Sequence, residues 1–108
     1  VDTFAPCGPA LVLMDEIDDV QNLRITTKVN GETLQDASTA QMIFGVKTLV
    51  SYLSQFMTLL PGDLITTGTP PGVGLGFKPD PVFMKPGDVI ELGVEGLGVQ
   101  GQTAVAWS

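Results

Sequence analysis

The residues with most chemistry to offer lie in one stretch, Thr66-Thr67-Gly68-Thr69-Pro70-Pro71-Gly72-Val73-Gly74. A short apolar run at 64–67 reads as a strand, which puts the stretch at a strand's carboxyl end. Gly68 has no Cβ, so a ligand can come close to the backbone there. Thr69 offers a hydroxyl and an N–H at one point, a pair suited to holding a carboxylate or carbonyl oxygen. Pro70 and Pro71 stiffen the exit and pre-organise those donors. The competing reading is an ordinary tight turn, which composition alone favours because Gly and Pro mostly punctuate.

Other candidates carry less. Gly72-Val73-Gly74-Leu75-Gly76 lacks the Gly-x-Gly-x-x-Gly spacing, and Pro79 blocks the helix whose N-terminus would hold a phosphate. The acidic cluster Asp15, Glu16, Asp18 and Asp19 has oxygens for a hard cation but not the alternating spacing of a calcium loop, so it reads as a solvated turn. Glu91 and Glu95 sit on a strand and its turn, and one strand seldom builds a metal site. Asp63 and Asp88 each follow Pro-Gly and are expected to accept from turn N–H groups. Cys7 has no base to activate it and is expected to be an inert, partly buried thiol. Trp107, Phe56 and Tyr52 read as core or interface residues. With no His in the chain, a Ser-His-Asp relay, a Cys-His pair and a His-ligated zinc site are excluded within it.

The elements that must position the loop read as follows. Residues 10–14 form a short apolar run expected to be a buried strand. Residues 23–29 are strand-like, Asn30-Gly31 follows, and 32–35 continue beyond it. Asn-Gly between two such runs predicts a hairpin, since both central residues take positive φ. Val46, Leu49, Val50, Leu53, Phe56 and Met57 recur at helical spacing, predicting one helix of about three to four turns before Pro61-Gly62. Its apolar stripe calls for a sheet to lie on. Residues 82–84 are a further short apolar run, and 89–94 and 99–107 read as strands joined by Glu95-Gly96-Leu97-Gly98. Leu60-Pro61-Gly62-Asp63-Leu64-Ile65 and Lys85-Pro86-Gly87-Asp88-Val89-Ile90 repeat one pattern, a type II Pro-Gly turn feeding a strand.

The chain has 108 residues, 44% of them hydrophobic and 16% charged, which suits one domain or part of one. Five basic against twelve acidic residues give a net charge of −7, so neither nucleic acid nor an anionic membrane is an expected partner. No apolar run reaches the length of a transmembrane helix, and no signal peptide is visible. A single Cys fits a reducing, cytoplasmic setting. Val1-Asp2-Thr3-Phe4 reads as the interior of a longer polypeptide.

Asp2-Thr3-Phe4-Ala5-Pro6 with Gly8-Pro9 resembles the start of the C-terminal half of the fumarylacetoacetate hydrolase family. The resemblance continues through Asp15-Glu16-Ile17, Gln21-Asn22-Leu23, Val29-Asn30-Gly31-Glu32 with Gln35, and Ser38-Thr39 with Met42-Ile43-Phe44. It runs on through Pro61-Gly62-Asp63, Thr67-Gly68-Thr69-Pro70-Pro71-Gly72-Val73-Gly74, Lys85-Pro86-Gly87-Asp88 and Glu95-Gly96-Leu97-Gly98. It covers essentially the whole chain in order. Departures are Asp18 and Val20, where many relatives have prolines, Ser38 for a common Asn, and Ala37 for a common Gly.

The resemblance implies an α+β, mostly β fold, a mixed β-roll with one main helix, with residues 1–108 as the C-terminal portion of the catalytic domain. It implies a Mg²⁺- or Mn²⁺-dependent enzyme of 2-oxo and β-diketo acids. The reaction is C–C hydrolysis of acylpyruvates or diketo-deoxy sugar acids, decarboxylation or tautomerisation of oxaloacetate-like acids, or isomerisation. The metal would act as a Lewis acid on the substrate. The family's metal ligands and catalytic Lys lie upstream of Asp-Thr-Phe, so no catalytic or metal-ligating residue is expected in this chain. Thr69 resembles the substrate-contacting threonine, with Gly68 beside it and Pro70 shaping the loop. The implied partners are a small 2-oxo acid, the N-terminal part of the same domain and a second copy in a homodimer. A non-catalytic scaffold or binding module that kept the fold without the metal site is the second reading.

Overall fold

The computed structural model describes residues 3–107; Asp2 of the Asp-Thr-Phe motif lies outside the described residues. Four strands make one sheet: β1 Arg24–Val29, β2 Glu32–Ser38, β3 Val89–Val94 and β4 Gly98–Thr103. Their spatial order is β2-β1-β3-β4, and every neighbouring pair is antiparallel. One helix, α1 Val46–Leu53, follows β2 after a 3₁₀ turn at Thr39–Gln41. The expected mostly β architecture with one main helix is the one observed.

The hairpin is where the Asn-Gly pair puts it. Asn30 has φ 51° and Gly31 φ 83°, the double left-handed conformation of a type I′ turn. Asn30 also ties the hairpin to β3. Its N–H donates to Val89 O at 2.8 Å, its Nδ2 to Asp88 Oδ1 at 2.9 Å, and its Oδ1 accepts from Val89 N at 2.9 Å. The two Pro-Gly turns are alike. Gly62 and Gly87 have φ 98° and 96°, and the Asp63 and Asp88 carboxylates accept from the N–H groups of Leu60 and Lys85, each at 2.7 Å.

The register gives the sheet two unlike faces. Ile25, Thr27 and Val29 share one with Ile90, Leu92 and Val94. The other carries Lys28 paired with Glu91 at 3.1 Å, and Arg24 in a two-pronged bond to Asp36 at 2.8 and 2.7 Å. A bulge interrupts the β1–β2 ladder: Thr27 pairs with Gln35 and Lys28 with Thr33, leaving Leu34 as the extra residue.

Several expected elements do not form. Residues 10–14, 64–67 and 82–84 join no ladder, and Leu11, Leu13 and Leu64 are exposed. A strand exists only where a neighbour takes its N–H and C=O groups, and no described strand pairs with these runs. The last strand stops at Thr103, short of 107. The helix makes about two turns. Beyond it Phe56 N bonds back to Leu53 O and Gln55 N to Tyr52 O, a tightened turn running on to Met57. Ser54 Oγ donates to Ser51 O at 2.8 Å, competing with the helical pattern at that end. Cys7 is exposed rather than partly buried. Trp107, Phe56 and Tyr52 are likewise on the surface, Tyr52 and Phe56 touching each other at 5.0 Å between ring centres.

These departures share one cause, a shortage of partners. Ile90 is the one buried apolar residue among those described. The chain's accessible surface is 8690 Å², against about 5,800 Å² expected for a self-contained protein of this mass. Its radius of gyration is 15.6 Å, against about 13 Å for a closed domain. Apolar side chains lie open because the surfaces that would cover them are not in these residues. No helix among the described residues is long and apolar enough to cross a membrane.

Purified by itself, the chain should therefore self-associate through its exposed apolar side chains and bind a hydrophobic dye. Analytical ultracentrifugation and dye fluorescence check this, and a dye-silent, cooperatively unfolding monomer would contradict it. A second prediction concerns acid. The Arg24 guanidinium, by its hydrogen bonds and then its charge, holds the Asp36 carboxyl below the ordinary aspartate range. The Asn30 amide and the Lys85 N–H do the same for Asp88. Both groups titrate lower folded than unfolded, so the stability they add is whole above the ordinary aspartate value of about 3.9. It is lost as pH falls through their depressed folded values. Asp88→Asn should flatten the acid limb when the urea midpoint is followed from about pH 6 to about pH 2; an unchanged limb would contradict the assignment.

Candidate functional site

Two segments far apart in sequence meet beside β2. One is the stretch that leaves the strand, Ser38 through Phe44; the other is the loop at 67–72. Between them lies a cleft of about 830 Å³, lined by Ala37, Ser38, Thr39, Met42, Ile43 and Phe44 on one side and by Thr67, Gly68, Thr69, Pro70 and Gly72 on the other. A smaller cleft of about 410 Å³ lies beside Asn30, Phe77 and Phe83.

The first wall is held by polar side chains. Ser38 caps the 3₁₀ turn, its Oγ accepting from Ala40 N at 3.2 Å, while Gln41 Oε1 accepts from Ser38 N at 3.0 Å. The Ser in place of a common Asn therefore keeps the capping chemistry. Thr39 Oγ1 accepts from Leu23 N at 2.8 Å, so this hydroxyl anchors the turn to the start of β1. Gln21 bridges the turn and the helix: its Nε2 donates to Thr39 O and its Oε1 accepts from Val46 N at 2.9 Å. Gly45 leaves room for that bridge, since a Cβ there would sit 2.8 Å from Gln21 Oε1.

The second wall docks on β2 at the bulge. Gly72 has φ 109°, and a Cβ on it would fall 2.0 Å from Leu34 O. Only glycine lets the loop come that near the strand. Gly74 makes the same approach to Val82 O, where Val82 N donates to Gly74 O at 2.9 Å. Gly68 is different: it has φ 92° and open space where a Cβ would be. Thr69 is exposed at the cleft, and neither its N–H nor that of Gly68 meets an acceptor among the described residues.

The loop is fixed by a residue that composition and spacing did not single out. Gln35, 9% exposed, donates through Nε2 to Thr69 Oγ1 at 2.9 Å and to Pro70 O at 2.8 Å. Its Oε1 accepts from Thr27 Oγ1 at 2.8 Å, and Thr27 is 8% exposed. The available signal is strand alternation, which turns position 35 toward the apolar face, where a Gln needs a reason to be.

The acidic candidates are accounted for locally. Asp15, Glu16, Asp18 and Asp19 are exposed, and Asp19 Oδ1 accepts from Gln21 N at 2.9 Å. Glu91 pairs with Lys28, and Glu95 Oε2 accepts from Arg24 N at 3.3 Å. Among the described residues no three His, Cys, Asp or Glu groups converge as metal ligands. Asp36, the carboxylate lining the cleft, has both oxygens on Arg24. What Gly68 and Thr69 offer at the cleft is N–H and O–H groups that can donate.

This chain belongs to the fumarylacetoacetate hydrolase family, matching the family described as "Fumarylacetoacetate (FAA) hydrolase C-terminal" over residues 1–105. It is 53% identical over 106 residues to the 2,4-didehydro-3-deoxy-L-rhamnonate hydrolase of Sphingomonas sp. (strain SKA58), covering 98% of this chain and 37% of that protein. Among solved structures it resembles a fumarylacetoacetate hydrolase from psychrophilic Exiguobacterium antarcticum, with a TM-score of 0.89 and 43% identity over 94% of this chain and 36% of that one. It also resembles the maleylpyruvate hydrolase from Sphingobium sp. SYK-6 in complex with manganese (II) ion and pyruvate, with a TM-score of 0.80 and 33% identity over 91% of this chain and 34% of that one. Other solved relatives are isomerases. The chain thus spans little more than a third of the length of the relatives it matches.

Proposed function

We propose that residues 1–108 form the substrate-holding C-terminal portion of a catalytic domain that acts on 2-oxo or β-diketo acids, by C–C hydrolysis of an acylpyruvate or diketo-deoxy sugar acid or by tautomerisation or decarboxylation of an oxaloacetate-like acid. The observation that carries this reading is the cleft wall at Gly68 and Thr69. A hydroxyl and two N–H groups without acceptors among the described residues stand together on a loop pinned to a sheet. That donor set suits the carboxylate of a small acid. Relatives that are hydrolases, one of them holding pyruvate and manganese, support it.

In the hydrolytic case water adds across the bond between the acyl carbon and the pyruvyl methylene. The acyl fragment leaves as a carboxylate with release of a proton, and the other fragment leaves as pyruvate. This chain's part is binding and orientation, with Thr69 and Gly68 holding the carboxylate end of the acid. A divalent cation, Mg²⁺ or Mn²⁺, would be held by residues outside this chain and would supply Lewis acidity at the substrate oxygen. The exposed apolar side chains would then meet the remaining part of the domain, and a homodimer would cover more of them.

The test uses the complete polypeptide that carries this chain, assayed on an acylpyruvate and on oxaloacetate with Mg²⁺ or Mn²⁺ and then with excess chelator. Chelator-sensitive turnover is expected, and Thr69→Val should raise KM or lower turnover roughly tenfold or more, the scale of one oriented hydrogen bond to a charged group. Wild-type kinetics in Thr69→Val would overturn the site. Absence of both turnover and metal binding would favour a non-catalytic binding module.

A further inference from the structure

Thr27 and Gln35 are the two buried polar side chains among the described residues, and they face each other directly across β1 and β2. An amide is costly to bury unless its atoms are paired, and here all are. The pairing also fixes the direction of every proton. Pro70 O can only accept, so the Gln35 amide nitrogen faces the loop and its oxygen faces Thr27. Thr27 must then donate. With one Nε2 hydrogen on Pro70 O, the other falls on Thr69 Oγ1, which therefore accepts. A hydroxyl carries a single hydrogen, and that of Thr69 has no acceptor among the described residues.

We propose that Gln35 is a positioning residue that fixes the Thr69 hydroxyl as a donor toward the cleft, so that the site prefers a ligand oxygen that only accepts, a carboxylate, over an uncharged amide that also donates. The inference rests on the reading of Thr69 as a substrate contact and adds the device that sets its polarity. Gln35→Glu keeps the side chain's size and reverses that device. The carboxyl that this substitution introduces carries at most one hydrogen where the amide carries two; that hydrogen goes to Pro70 O, and the oxygen left facing Thr69 accepts, so the Thr69 hydrogen turns inward and presents a lone pair to the cleft.

The experiment measures dissociation constants of pyruvate and its neutral analogue pyruvamide by calorimetry, on the complete polypeptide with Mn²⁺ present. Four forms are compared: wild type, Gln35→Glu, Thr69→Val and the double variant. The preference for pyruvate over pyruvamide should fall roughly tenfold in Gln35→Glu, the scale of one charge-assisted hydrogen bond lost, and the double variant should show the preference of Thr69→Val alone. A variant that merely loosens the fold would weaken both ligands alike and leave their ratio unmoved. An unmoved ratio, or an equal fall in both Thr69 backgrounds, would overturn the role given to Gln35. An unchanged pyruvate affinity in Thr69→Val would instead overturn the substrate contact itself, so the two failures are distinguishable. Should Gln35→Glu fail to fold, Gln35→Met carries the same comparison, with a smaller fall in the ratio expected because the hydroxyl is freed rather than reversed. No fall with Gln35→Met would likewise overturn the proposal.

Discussion

A single glutamine joins the sheet to the loop that offers donors to the cleft. Gln35 is buried beside Thr27 at the bulge in β2, and from there its amide reaches out to Thr69 and Pro70. The rest of the local architecture serves that reach. The bulge at Leu34 re-aims the strand, and Gly72 lets the loop approach within a distance no side chain would allow. Two prolines limit what the loop can do once it leaves the contact. The donors at Gly68 and Thr69 are thereby held by a strand of the hydrogen-bonded ladder rather than by the loop alone.

The same chain is poor in the usual source of stability. Its sheet is well paired, yet only Ile90 is buried among its described apolar residues. Ile43, at 92% exposure, and Phe44 stand exposed at the wall of the cleft. A site placed there is half enclosed. The chain matches about a third of its relatives' length.

What sequence reasoning reads, and what it misses, divides along the range of the interactions. The Asn30-Gly31 hairpin and the two Pro-Gly-Asp turns are decided within four residues, by positive φ and a carboxylate returning to an N–H, and both are legible. The β3–β4 pair is legible for the same reason, its turn lying between two β-rich runs. Residues 10–14, 64–67 and 82–84 have strand composition but pair with no described strand, and no sequence pattern reports whether a run finds a partner. The helix reads longer than it is because its apolar stripe continues to Met57 while its backbone tightens after Leu53. The Gly-Thr-Pro loop stands out by composition. Its anchor does not, because Gln35 declares itself only through a register in which Thr27 is its partner and a contact to a loop more than thirty positions along the chain.

The most direct test is a crystal structure of the complete polypeptide with Mn²⁺ and pyruvate bound. The account predicts a pyruvate carboxylate oxygen within hydrogen-bond distance of Thr69 Oγ1, with Gln35 Nε2 still on the far side of that hydroxyl. Pyruvate bound away from Thr69, or Gln35 Nε2 withdrawn from the Thr69 hydroxyl, would contradict it.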